Sequence, residues 1–300
     1  MKKATIVECP SNLGLKEPYT GKEPGVKSLP NFLNTHSFHS NIGPESIIKL
    51  VPPKYSNVKD PETGILNADS IVEYSIYQAK TIRKLLEDKK LALIIGGDCS
   101  IMLGSAIALK QTGNYALFYL DGHTDFMDIS LSETGGVGGL VASLVTGKGH
   151  KKMSDILNLS PYIMEENLWC VGNREYDEAY ENEIRNSNAK YISLVELRKE
   201  SIVKCVQAFL KDVSDKQLDG FWLHIDVDVL NDGLMPCVDS RTQDGLTYAE
   251  FNELTYMLFQ SDKLSGFEIT ILDPDLDSDG KYTSEFVFNI TSTFNRAIRQ

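Results

Sequence analysis

The chain alternates two patterns of apolar and polar positions. Short β-branched or apolar runs, several of them apolar throughout, occur at 4–7, 92–95, 116–120, 168–171, 191–194, 221–226 and 266–271. Runs this short, rich in β-branched and aromatic residues, predict strands buried on both faces, as in a parallel sheet. Between them lie longer segments with an apolar residue every three or four positions. In 71–87 the stripe is Val72, Ile76, Ala79, Ile82 and Leu86, and 201–213, 248–259 and 283–298 have the same pattern. Each predicts a helix with one buried face. The alternation predicts an α/β fold, a mostly parallel sheet covered by helices. The stretch 10–30, rich in Gly, Pro and Lys, is expected to form a long surface loop. No internal repeat or linker divides the sequence, so one domain over 1–300 is expected.

Composition narrows the functional classes. The 42 acidic against 30 basic residues give a formal charge of −12, which repels nucleic-acid phosphates and anionic membrane surfaces and suits cationic ligands or metal ions. The five cysteines, Cys9, Cys99, Cys170, Cys205 and Cys237, form no CxxC pair and no even disulfide framework, which points to a reducing compartment. The first apolar run is cut by Glu8 and Pro10, too short for a secretory signal, and a cytoplasmic location is expected.

Three clusters carry the candidate chemistry, each directly after an apolar run. Gly96-Gly97-Asp98-Cys99-Ser100 follows the run ending at Ile95; paired glycines let the backbone turn tightly into a site at a strand's carboxyl end. On its own this pentapeptide fits a plain strand-to-helix turn with a buried cysteine better than it fits a site. In Asp121-Gly122-His123-Thr124-Asp125, donors at alternate positions of an extended backbone would share one side, as metal ligands must. His224-Ile225-Asp226-Val227-Asp228 adds two more carboxylates at a third strand end. An acidic pocket assembled this way needs bound cations to offset its repulsion. His224 itself reads either as a buried hydrogen-bond donor to the carboxylates or as an ordinary strand residue.

In this order the three clusters resemble the GGDHS, DAHxD and DxD motifs of the arginase/agmatinase/formiminoglutamase (ureohydrolase) family, and the resemblance spans nearly the whole chain. It implies a three-layer α/β/α sandwich, usually assembled into homo-oligomeric trimers or hexamers. It also implies two divalent ions, manganese in the family, with Asp121 and Asp226 bridging them. Asp125 and Cys99 would complete one metal, and His123 and Asp228 the other. Such a pair activates water to attack a planar guanidino or formimino carbon. Asp125 would also hydrogen-bond the attacking oxygen.

The sequence departs from the family pattern in four places. Cys99 stands where the motif has histidine; a thiolate is softer than imidazole and admits iron, cobalt or zinc. The likeness is to a variant branch with this exchange, acting on N-hydroxylated arginine. The segment 134–139 matches one whose histidine shuttles protons in arginases, and that histidine falls on Gly138. Arginase residues that hold the substrate carboxylate fall on Met127 and Thr134. The guanidinium-binding glutamate falls on Ile271, with Glu268 three residues earlier and able, by a local shift, to face the pocket instead. Asp177 matches a residue that contacts the substrate's amino group. The expected activity is therefore hydrolysis of a guanidino C–N bond in a small, modified arginine-like substrate, releasing urea or a substituted urea. Asp125 and Glu268 are the candidate catalytic groups, and Thr134, Asp177 and Glu268 the candidate substrate contacts. A formimino hydrolase and a catalytically silent metal-binding protein with a regulatory role are the alternatives.

Overall fold

A computed structural model describes residues 4–175 and 177–298. All seven anticipated strands form: β1 (Ala4–Glu8), β3 (Leu91–Ile95), β4 (Tyr115–Leu120), β5 (Leu168–Asn173), β6 (Lys190–Ser193), β7 (Gly220–Asp226) and β8 (Leu264–Thr270). An eighth, β2 (Ser46–Lys49), lies at one edge and pairs with β1. The strands form one continuous sheet in the order β2-β1-β3-β8-β7-β4-β5-β6, and every pair is parallel.

Five helices cover the sheet's centre: α1 (Ala68–Glu87), α2 (Ile101–Thr112), α3 (Ile202–Asp215), α4 (Tyr248–Phe259) and α5 (Lys281–Ile298). Adjacent residues of β8 show the three layers. Phe267 packs between Phe259 of α4 and Phe294 of α5 on one face, while Glu268 accepts a hydrogen bond from Ser105 of α2 on the other. Farther along the first face, Phe209 of α3 meets Phe118, Trp169 and Phe221 from three neighbouring strands edge-on, at centroid distances of 4.9, 5.6 and 5.1 Å. On the second face α1 lies against α2, and Gln78 donates to the carbonyl of Ile101 across the contact. The central strands β3 and β7 are fully buried, β3 as its uninterrupted apolar run predicts.

This strand order places the carboxyl ends of β3, β8, β7 and β4 side by side at the middle of one sheet edge. Open α/β sheets bind ligands at that edge. The stretch 10–30 differs from the expected surface loop: Ser11, Leu13 and Gly14 are buried, and this part of the chain is wedged against the turn after β3. The glycines there explain the fit. A Cβ on Gly97 would lie 1.6 Å from the carbonyl oxygen of Ser11, so only glycine lets the two backbones approach.

Candidate metal centre

After β3, Asp98 fixes the turn that delivers Cys99. Its carboxylate accepts from the Ser100 amide at 2.8 Å and the Ser11 hydroxyl at 3.1 Å. Cys99 is buried, and its Sγ lies 3.0 Å from Asp226 Oδ2 and 3.3 Å from Thr270 Oγ1.

The donors after β4 are not spaced along an extended strand as expected. The strand stops at Leu120, and the Asp121 carboxylate accepts the His123 amide at 2.6 Å, curling the chain. Asp125 has a left-handed φ of 46°. Convergence therefore comes from a folded loop, a conformation that aspartate tolerates better than most residues. After β7, Asp226 accepts the Asp228 amide at 2.8 Å, which sets both carboxylates toward the same space. Arg174 pins the surroundings by donating to the carbonyls of Asp228 and Thr242. Thr242 in turn faces His123 Nε2 at 3.0 Å, while Nδ1 lies 2.8 Å from Asp228 Oδ2.

Two overlapping donor sets result. Cys99, Asp121, His224 and Asp226 each bring one ligand atom within 4.8 Å of the others, and so do Asp121, His123 and Asp228. Asp121 belongs to both sets. Asp125 lies in neither but lines the cavity above them, its Oδ2 accepting the Tyr119 hydroxyl at 2.7 Å.

The electrostatics are those of crowded buried acids. Burial, and then the neighbouring carboxylates, push Asp121 and Asp226 far above the carboxylate range, and burial takes Asp125 up to about 6. Burial alone would raise Asp228 as well, but His123 and Arg174 hold it below its ordinary value. For His123, burial pulls the imidazole down, and the adjacent Asp228 outweighs that and lifts it to about 9. The Cys99 thiol is pushed well up, first by burial and then by Asp226, Asp125 and Asp121. Asp121 Oδ2 and His224 Nε2 are buried with no hydrogen-bond partner among the described residues. Four convergent carboxylates balance two divalent cations, and the unpartnered atoms offer lone pairs, so the residues present fit such a pair.

A cavity of about 320 Å³ opens over these donors, lined among others by Asp125, Gly138, Glu175, Asp239, Thr242 and Ile271. An adjoining cavity of about 730 Å³ shares Gly138 and Asp239 with it. The substrate contacts expected from the sequence fare unevenly. Thr134 lines the outer cavity only, its hydroxyl accepting the Gly136 amide. Asp177 is exposed, lines neither cavity and caps the helix Glu178–Arg185 through the Ala179 amide. Glu268 requires a correction: no local shift brings it to the pocket. It is fully buried within β8, bonded to Ser105 and to His224, and Ile271 takes the place on the cavity wall.

Glu175, Tyr180, Asp239, Ser240 and Thr242 line the inner cavity and were not anticipated. Glu175 stands two residues from Asp177, in the segment that the sequence singles out. Asp239 to Thr242 follow no strand, and only their polarity after Pro236 marks them.

A parallel α/β sheet that gathers carboxylate, imidazole and thiol donors at the centre of its carboxyl edge defines a class of metal-dependent hydrolase. The Arginase family model matches residues 23–294, and the chain belongs to that family. It is 27% identical over 248 residues to an arginase of Staphylococcus aureus, covering 82% of this chain and 81% of the relative. The structure of Bacillus caldovelox arginase superposes with a TM-score of 0.87 at 22% identity, covering 98% of each chain. Bacillus subtilis formimidoylglutamase gives 0.69 at 20% identity, over 98% of this chain and 87% of the other. The protein is therefore a ureohydrolase of the arginase family, a class of enzyme with a dinuclear metal centre.

Proposed function

We propose that this enzyme hydrolyses the guanidino C–N bond of a small, modified arginine-like compound and releases urea or a substituted urea. The observation that carries the reading is the pair of overlapping donor sets beneath one cavity, joined through Asp121. In this reading Cys99, Asp121, His123, Asp125, Asp226 and Asp228 hold two divalent ions, manganese or, because of the thiol, iron, cobalt or zinc. Such a pair, when bound, supplies Lewis acidity and a water acidic enough to ionise near neutrality.

This chain's own residues do the rest. Glu175 and Asp239 give the cavity an acidic wall that attracts a cationic substrate. Tyr119 fixes Asp125 through Oδ2, leaving Oδ1 to take the proton of the attacking water and pass it toward the departing nitrogen. Gly138 lines the cavity with no side chain to shuttle a proton, and Ile271 offers no charge to a guanidinium. Both features favour an N-hydroxylated guanidine over arginine, because the hydroxyl makes the group a weaker base that depends less on a carboxylate partner and on proton delivery. Five free, buried cysteines support a reducing, cytoplasmic setting, and homo-oligomeric assembly as a trimer or hexamer belongs to the same proposal.

The test is to load the purified protein with manganese, iron or cobalt and measure urea, hydroxyurea, ammonia and formamide release from guanidino and formimino compounds. Urea or hydroxyurea from a hydroxyguanidine is the expected result. Formamide alone would move the assignment to formimino hydrolysis, and no turnover with any metal would refute catalysis.

A further inference from the structure

The residue that the guanidino reading leaves unexplained is His224. It lies on β7 two positions before Asp226, and strand register sets it beside Tyr119 of β4 and Glu268 of β8. All three are fully buried. The Tyr119 ring stacks on the imidazole at 4.2 Å with the planes 5° apart. Glu268 Oε1 lies 2.6 Å from Nδ1, and its Oε2 accepts the Ser105 hydroxyl at 2.7 Å. With a carboxylate as its partner, Nδ1 carries the proton, and Nε2 is left with a lone pair. Nε2 has no hydrogen-bond partner among the described residues. A ring nitrogen of His224 falls within 4.8 Å of Cys99 Sγ and of carboxylate oxygens of Asp121 and Asp226.

We propose that His224 Nε2 is a ligand of the metal nearest Cys99, supplying from β7 the imidazole that position 99 lacks. A ligating histidine characteristically donates its other N–H to a carboxylate, which fixes tautomer and ring plane. Glu268 and Ser105 make that arrangement here, and Glu268 is a positioning residue. The Tyr119 ring leaves the imidazole no room to swing aside. This donor set, a thiol, an imidazole and two carboxylates, is softer than one built on oxygen and imidazole alone. It favours zinc, cobalt or iron at this position over manganese.

The inference rests on the two-metal reading, and one titration separates their fates. Cobalt(II) is titrated into the wild-type protein labelled with ¹⁵N-histidine, and into His224→Gln, with bound metal counted after dialysis. In the wild type we expect two equivalents and paramagnetically shifted imidazole signals from two histidines, His123 and His224. His224→Gln should lose one equivalent together with the thiolate-to-cobalt absorption band, and Cys99→His combined with His224→Ser should regain the lost metal. Glu268→Gln should keep both metals but weaken the one near Cys99 by about 10- to 100-fold. Two equivalents of unchanged affinity in His224→Gln would overturn the inference and leave the two-metal reading standing. No cobalt in the wild type would overturn both. If His224→Gln does not fold, the wild-type spectrum decides, since a shifted signal from His123 alone refutes ligation by His224.

Discussion

Asp125→Asn should stabilise the metal-free protein at neutral pH and destabilise the metal-loaded one. Burial raises the Asp125 carboxyl from an ordinary 3.8 to about 6. A raised acid holds its proton more tightly in the folded state than in the unfolded chain. The folded state therefore loses stability as pH climbs from the unfolded value to the folded one. At about 1.4 kcal/mol per pH unit, the window from 3.8 to about 6 amounts to about 3 kcal/mol, complete above the upper bound. Asparagine cannot ionise and still accepts the Tyr119 hydroxyl. In a chelator, wild type and variant should be nearly equally stable near pH 4, and the variant should be more stable by about 3 kcal/mol at about pH 7. Excess manganese should reverse the order. Cations bind the ionised carboxylate, and a thousandfold excess over Kd stabilises the folded state by about 4 kcal/mol. A variant whose Kd rises to about the metal concentration forfeits nearly all of it, more than its advantage of about 3 kcal/mol. Urea unfolding followed by circular dichroism, with and without metal, reads both signs. A chelator-state difference that is flat with pH, or that favours the wild type increasingly as pH rises, would refute the account of a buried, unneutralised acid.

The metal-free protein should lose further stability between pH 6.5 and about 9, because His123, raised across that window by Asp228, stabilises the fold only while protonated; the same unfolding series extended upward checks this. Gly97→Ala should abolish metal binding and lower soluble yield, since its Cβ would meet the Ser11 carbonyl at 1.6 Å and neither backbone can yield; metal analysis of the soluble fraction measures it. Arg174→Lys removes a planar fork that bonds the carbonyls of Asp228 and Thr242. It should weaken metal binding at the His123 side while leaving the thiolate-to-cobalt band in place. Phe209→Ala, far from the site, should cost about 3–5 kcal/mol of stability by opening a cavity among Phe118, Trp169 and Phe221, with metal stoichiometry unchanged.

The layered fold was legible because central strands buried on both faces are apolar at nearly every position, as 92–95 and 116–120 are. The same reasoning missed β2. Ser46–Lys49 is a short edge strand exposed at three of its four positions, and only backbone bonding to β1 makes it a strand. It also ran β8 one residue too far. Ile271 is β-branched and continues the apolar run, yet it has a φ of 76°, and its amide donates to the Gly97 carbonyl at 2.7 Å. A β-branched residue in the left-handed region is held there by its surroundings, and the sequence offers no sign of it.

The donor loops were legible for a related reason: an aspartate directly after a buried strand needs a charge to meet it. The layer beneath was not, and the misreading of Glu268 shows why. Three residues of strand, at about 3.3 Å each, put Glu268 about 10 Å back from Ile271. A charged residue that deep in a sheet cannot reach a site at the sheet's edge. It must be satisfied sideways, by whatever the neighbouring strand carries in register. That neighbour is His224, and parity directs His224 to the same face as Asp226. Glu268 and His224 therefore explain each other only once the strand order β8-β7 is known, since 44 residues separate them in sequence. Cys99 completes the same arrangement. A thiol occupies less space than an imidazole, and a ring nitrogen of His224 lies within 4.8 Å of it in the same donor set. In the proposed centre the thiol then comes from the loop after β3 and the imidazole from a strand, and the two act on one metal together.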